Sequence, residues 1–150
     1  MTLQTFVRKY DVEYSTNLIK KEELIKVSDA MGVQIGKELA DYILEYGYLA
    51  FEYSELYGIN SRQFLESDMV KQTIYLHSYY PETSEFIAIE NQGDGDYYLV
   101  DRNDYIYEFD VEMSTLTPTF TTLYEHILNR FELILDEKKR QEYTRKQELV

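Results

Sequence analysis

The side chains able to do chemistry are carboxylates in quantity and little else. The chain carries 28 Asp and Glu, two His and no Cys. Without Cys there is no thiolate zinc site, no thiol nucleophile and no disulfide framework. A carboxylate pair for glycoside chemistry can be found anywhere among so many acids, so no pair singles itself out. Asp94-Gly95-Asp96, with Asp101 and Asp104 nearby, has the composition of a cation loop. The EF-hand register of alternating ligands, a glycine and a distant Glu does not fit it. A glycine-rich hairpin whose carboxylates cap backbone donors is the better account. Gly93-Asp94-Gly95 is not a dinucleotide fingerprint, since the third glycine is missing and a strand follows instead of a helix. His77 falls between Leu76 and Ser78 in a loop-like stretch with no identifiable partner, and His126 sits beside an apolar stripe as a surface or boundary residue. No G-x-S-x-G elbow, H-E-x-x-H or P-loop occurs. The expectation is a protein that is no enzyme, with no cofactor and no metal.

Tyrosine is the more telling excess, with 16 Tyr against 7 Phe and no Trp. Some of these rings pack on a core with the hydroxyl in water. Others alternate with acids, in Glu52-Tyr53-Ser54-Glu55 and Tyr107-Glu108-Phe109-Asp110. Rigid rings give contact area at small entropic cost, while carboxylates steer and orient a cationic partner. The net charge is −13, and residues 1–136, with 10 basic and 25 acidic residues, carry −15. That balance excludes nucleic-acid binding, which needs clustered Lys and Arg, and docking on an anionic membrane. The basic run Lys138-Lys139-Arg140 with Arg145 and Lys146 suits the negative end of a helix dipole.

The elements that must position these residues follow from periodicity. Asn17 to Ala30 is expected to be helical, ended by Gly32. A second helix carries Leu39, Tyr42, Ile43 and Tyr46 at i, i+3, i+4, i+7 and stops at Gly47. Strand-like segments follow at 51–57, 86–90, 97–101 and 105–111, rich in Tyr, Ile, Val and Phe. The turns Asn91–Asp96 and Arg102–Asp104 join the last three into an antiparallel meander. In the last strand Tyr105, Tyr107, Phe109 and Val111 share one face, and Ile106, Glu108 and Asp110 the other, with one face under helices and the other partly wet. After Pro118, the residues Phe120, Leu123, Tyr124, Ile127, Leu128, Phe131, Ile134 and Leu135 trace the stripe of a closing helix. Residues 136–150 extend it as a polar, partly frayed end. The whole reads as one domain over 1–150. Charges in the first 14 residues interrupt any signal-peptide core and no apolar run spans a bilayer, so a cytoplasmic protein is expected.

Three stretches resemble the SUKH superfamily, which includes bacterial toxin-immunity proteins and the fungal cell-wall synthesis regulator related to them. DAMGVQIGKELADYILEYG (29–47) is similar to its helix, apolar connection and second helix with terminal Gly. FIAIENQGDGDYYLVD (86–101) is similar to its strand, Gly-Asp-Tyr-Tyr turn and following strand. YIYEFDVE (105–112) with TFTTLYEHIL (119–128) is similar to its aromatic strand and closing helix. The family commonly has Pro where this chain has Gly36, two glycines where it has Gly47-Tyr48, and a hairpin Gly where it has Asn103-Asp104.

The resemblance implies an α+β fold: a twisted, mostly antiparallel meander sheet flanked by N-terminal helices and a long C-terminal helix. It implies no catalytic residues. It also implies an immunity protein that occludes a cognate protein toxin, here a basic nuclease domain, or else a regulatory adaptor in cell-wall or signalling control. The residues expected to bind the partner are Glu52 and Glu55, Asp94 and Asp96 of the turn, Tyr98, and Glu108, Asp110 and Glu112 of the aromatic strand.

Overall fold

A computed structural model describes residues 1–59 and 67–149. The fold is α+β. Helix α1 (Leu3–Lys9) leads into the short strand β1 (Glu13–Tyr14), and a single 3-10 turn (Lys21–Glu23) opens α2 (Leu24–Met31). Helix α3 (Lys37–Glu45), strands β2 (Leu49–Phe51) and β3 (Ser54–Glu55), and α4 (Met69–Tyr79) follow. The chain closes with β4 (Ile87–Asn91), β5 (Tyr97–Val100), β6 (Tyr105–Asp110), β7 (Thr115–Thr122) and α5 (Leu123–Glu148). Among the described residues, no helix is long and apolar enough to cross a membrane.

Both sheets are antiparallel, one ordered β1-β2-β3 and the other β4-β5-β6-β7. The second is the expected meander. Helices cover it on both sides. Tyr97 pairs with Phe109, and Phe109 meets Tyr80 edge-on at 5.3 Å beyond the end of α4. On the opposite face Val100 pairs with Ile106, both fully buried, and Tyr98 packs against His126 of α5 with ring centroids 4.3 Å apart. The alternation expected for β6 therefore holds, and the face of Ile106, Glu108 and Asp110 is partly wet: Ile106 is covered, while Glu108, nearer the strand end, is exposed.

The core is aromatic where the layers meet. Phe6 of α1, Phe51 of β2 and Phe131 of α5 form a triangle with centroids 5.3, 5.8 and 5.4 Å apart. In α5 the buried apolar residues are Leu123, Ile127, Phe131 and Ile134, an i, i+4, i+8, i+11 stripe, with His126 buried beside them. Beyond Asp136 the helix continues with every described side chain exposed.

Several elements differ from the periodicity reading. The segment 51–57 is a hairpin, because Glu52 takes φ 54 and folds Phe51 back onto Ser54. The helix expected from Asn17 begins only at the 3-10 turn and α2, so exposed Leu18 lies outside it, while Ile25 lies within α2 on its exposed side. His77 lies on α4, whose β-branched and tyrosine-rich sequence carries a weak helical stripe and whose N-terminus is capped by Asp68. Its Nε2 lies 2.7 Å from the Phe86 carbonyl, a structural contact. Pro118 does not precede the last helix but sits inside β7, an edge strand where its missing N–H is tolerated. Phe120 leaves the expected stripe: it belongs to β7 and is 86% exposed.

Two departures from the family pattern compensate each other. Asp104, at the hairpin position where glycine is usual, adopts φ 68 and is buried. Its carboxylate accepts hydrogen bonds from the Glu38 and Leu39 amides, both at 3.0 Å, and so caps α3 from across the fold. Its carbonyl accepts the first amide of α5, Leu123, at 2.8 Å. A Cβ at Gly36 would overlap that carboxylate, so glycine is needed there because Asp104 fills the space. Gly36 has φ −73, which suits proline once the space is free. Urea unfolding of Gly36→Pro and Asp104→Gly is expected to show a loss of about 1–3 kcal/mol for each. The double variant is expected to lose clearly less than the sum, and an additive result would separate the two sites.

Candidate partner-binding site

In a meander, alternate turns fall at the same end. The β4–β5 turn and the β6–β7 turn therefore lie together, away from the Asp104 end. Gly93 and Gly95 adopt φ 95 and 96, and the turn is held by side chains of its own: Asn91 Oδ1 accepts from Gly93 N at 2.8 Å and Asp94 Oδ1 from Asp96 N at 3.0 Å. Asp96 Oδ1 then accepts the Val111 amide at 3.2 Å, tying this turn to the end of β6. Asp110 Oδ1 caps the next turn through the Met113 amide at 3.0 Å. Glu108 Oε1 accepts from Gln92 Nε2 at 3.2 Å. Asp96, Glu108 and Asp110 thus line one small depression of about 160 Å³ with Gln92, Phe109, Thr115 and Thr117.

Asp94 and Glu112 stand exposed in the two turns beside it. Five of the expected residues share this acidic rim, and among the described residues none of the five forms an ion pair. Asp94, Asp96, Glu108 and Asp110 spend hydrogen bonds on backbone or amide donors and keep their charge for solvent.

The other three are placed differently. Tyr98 is half-buried against α5, its hydroxyl meeting Glu108, so it backs the rim instead of fronting it. Burial pushes its hydroxyl pKa up, and the Glu108 charge adds to the shift. Glu52 lies in the β2–β3 turn and is paired with Lys138 of α5 at 2.8 Å. Glu55 is exposed on β3 and lines a wider groove of about 680 Å³ with Tyr53, Lys71 and Asn91 among others.

Sequence reasoning missed the buried polar cluster behind Tyr98. Glu90 of β4 is 1% exposed. Arg130 of α5 grips it with Nε 2.6 Å from Oε1 and NH2 3.0 Å from Oε2, and the Ser54 hydroxyl donates at 2.7 Å. Burial pushes the Glu90 carboxyl pKa up while Arg130 and Ser54 pull it back. Burial opposes the charge of Arg130, but Glu90 more than offsets this and raises its pKa. Arg130 Nη2 and the Ser54 hydroxyl both donate to Oε2, while Arg130 Nε and Oε1 are in ion contact without a hydrogen bond. Arg130 also lies 5.5 Å over the Tyr98 ring. An acid ending the apolar run Ile87-Ala88-Ile89 and a cation beside Phe131 were the available signals.

His126 corrects the boundary assignment. It is buried, its Nε2 has no hydrogen-bond partner, and its pKa is lowered to about 4 by burial and the Arg130 charge. Among the described residues no group of His, Cys, Asp or Glu is placed to hold a metal.

A family model described as SMI1-KNR4 cell-wall, SUKH_5, matches residues 4–132. The chain belongs to this family. The match spans both sheets and the first turns of α5, and it includes every residue of the acidic rim. No curated protein matches this SUKH_5 member. Among solved structures, the crystal structure of a protein from Pseudomonas syringae pv. tomato has the same fold. It is 13% identical with a TM-score of 0.60, covering 77% of this chain and 86% of that one.

The buried histidine makes stability depend on pH. Its folded pKa lies below the unfolded value of 6.5, so its contribution is complete above pH 6.5 and is lost as pH falls toward 4. Glu90, whose folded pKa is raised, works in the opposite direction on acidification. Urea titrations at pH 7.5 and 5 are therefore to be compared between the native chain and His126→Gln. The native chain is expected to lose about 2 kcal/mol more than the variant over that interval. Parallel losses would place His126 in contact with solvent.

Proposed function

We propose that this protein is an immunity protein that binds one cognate toxin domain and neutralises it by occlusion, without turnover. The observation that carries the reading is the acidic rim: Asp94, Asp96, Glu108, Asp110 and Glu112 gathered on two adjoining turns, with no cation of the described chain paired to them. The turns are fixed by their own hydrogen bonds, so the charges are preorganised and little is lost in ordering them on binding. A nuclease cleft, built to hold a phosphate backbone, is the kind of basic surface such a rim complements. Family membership supports the reading, because the superfamily that the sequence resembles includes toxin-immunity proteins.

The test is affinity capture of the tagged chain from its own cells, with elution along a salt gradient and partners identified by mass spectrometry. One dominant toxin-like protein, released progressively by salt, is the expected result. Several housekeeping or cell-wall proteins would instead make the chain a regulatory adaptor. With the recovered partner, Glu108→Lys with Asp110→Lys should slow association at least about tenfold at low ionic strength. The thermal unfolding midpoint should fall by only a few degrees, the cost of losing the exposed Asp110 cap on the Met113 amide and the Gln92–Glu108 contact. Unchanged association kinetics would remove the rim from the interface.

A further inference from the structure

Phe120 is held where a phenylalanine gains nothing for folding. It is 86% exposed, and its φ of 63 lies in the left-handed region that bulky residues avoid. The cause is a wide irregularity in the β6–β7 ladder. Tyr105 pairs with Thr122 but Tyr107 pairs with Pro118, so three residues of β7 stand opposite Ile106 alone. The irregularity is built, not loose. Thr119 Oγ1 donates to the Ile106 carbonyl at 2.9 Å and lies 2.7 Å from the Thr121 hydroxyl, which fixes the backbone on both sides of Phe120. Strain of this kind concentrates at functional positions.

The surroundings narrow what could cover the ring. β7 is an edge strand, the usual place for a second copy to add on. Pro118 and the irregularity break that ladder, and a net charge of −13 opposes self-association. Residues 105–129 contain Glu108, Asp110, Glu112 and Glu125 and no Lys or Arg. Just past Phe120 the first turn of α5 packs against carboxylates of α3: Glu38 accepts the Tyr124 amide at 3.2 Å, and Asp41 and Glu45 lie beside Tyr124. Along the chain the ring is thus flanked by acids on both sides.

We propose that Phe120 is the apolar anchor of the partner-binding surface, inserting into an apolar socket bordered by Lys and Arg on a cationic protein partner. The inference rests on the acidic rim being the docking face. Phe120 stands opposite Ile106, two residues along β6 from Glu108, so one docking surface can take in the ring and the nearer part of the rim. An aromatic anchor surrounded by selective charges is the composition of an interface hot spot.

Two measurements on the full chain test it. In thermal unfolding, Phe120→Asn should leave the midpoint unchanged or raise it by about 2–4 °C, since Asn adopts a positive φ readily. A fall of several degrees would make Phe120 a structural residue and overturn the proposal. The second places the photoreactive p-benzoylphenylalanine at position 120 and, as control, at exposed Tyr79, with irradiation in the producing cells. The expected result is an adduct from position 120 alone, to one basic protein, at a residue bordered by Lys or Arg, and lost when Glu108 and Asp110 are both changed to Lys. An adduct to a second copy of the chain, equal yields from both positions, no adduct, or an adduct indifferent to the charge reversal would each overturn it. If the charge reversal releases the partner while Phe120→Asn binds it with unchanged affinity, the anchor fails and the rim stands. If the charge reversal leaves the partner bound, the rim itself fails.

Discussion

The arrangement depends on one buried ion pair. Glu90 ends the innermost stretch of β4, Ser54 belongs to the other sheet, and Arg130 projects from the N-terminal third of α5. Their meeting point joins three elements that sequence separates by as many as 76 positions. A carboxylate so fully removed from water is tolerable only if its partners are all in place. The backbone reinforces the same junction. The irregular register at Ile89 leaves its carbonyl free to accept the Tyr57 amide at 2.7 Å, and the Tyr42 hydroxyl donates to the Tyr57 carbonyl at 2.7 Å. The small sheet, the meander and the long helix are therefore set in one register by polar contacts inside an otherwise apolar core.

That register decides what each end of the meander does. At one end Asp104 spends its carboxylate on α3 and its carbonyl on α5, so its charge is used up in holding the fold. At the other end the carboxylates brace their own turns and remain unpaired by cations. The distinction is physical: a buried carboxylate must be neutralised by donors, whereas an exposed one is available to a partner. Glu52 shows the middle case, exposed but already engaged by Lys138.

Much of this was legible in sequence, and the failures share a cause. The stripe of Leu39, Tyr42 and Ile43, the meander with its Gly- and Asn-rich turns, and the apolar spacing of α5 were all readable because local pattern and tertiary burial agree there. Clustering of five acids at one end was readable only in part. It needed the fact that alternate turns of a meander coincide, and Glu52 and Glu55 do not join them. The misses occur where tertiary contacts override pattern. Glu52 turns a continuous strand-like run into a hairpin. Pro118 reads as punctuation because nothing local reveals an edge strand. Phe120 fits the helical stripe perfectly by spacing yet points to solvent. Glu90, Arg130 and His126 are polar residues that only the three-dimensional fold brings together.

The central claim is that the Glu90–Arg130 pair sets the register of α5 on both sheets. A double-mutant cycle by urea unfolding tests it, using Glu90→Leu, Arg130→Met and the two combined. Arg130→Met strands the buried Glu90 carboxylate and should cost about 3–5 kcal/mol, Glu90→Leu leaves the half-buried Arg130 unpaired and should cost less, and the double should be no worse than the milder single. Losses that simply add would mean that the two side chains stabilise the fold independently, contradicting the account.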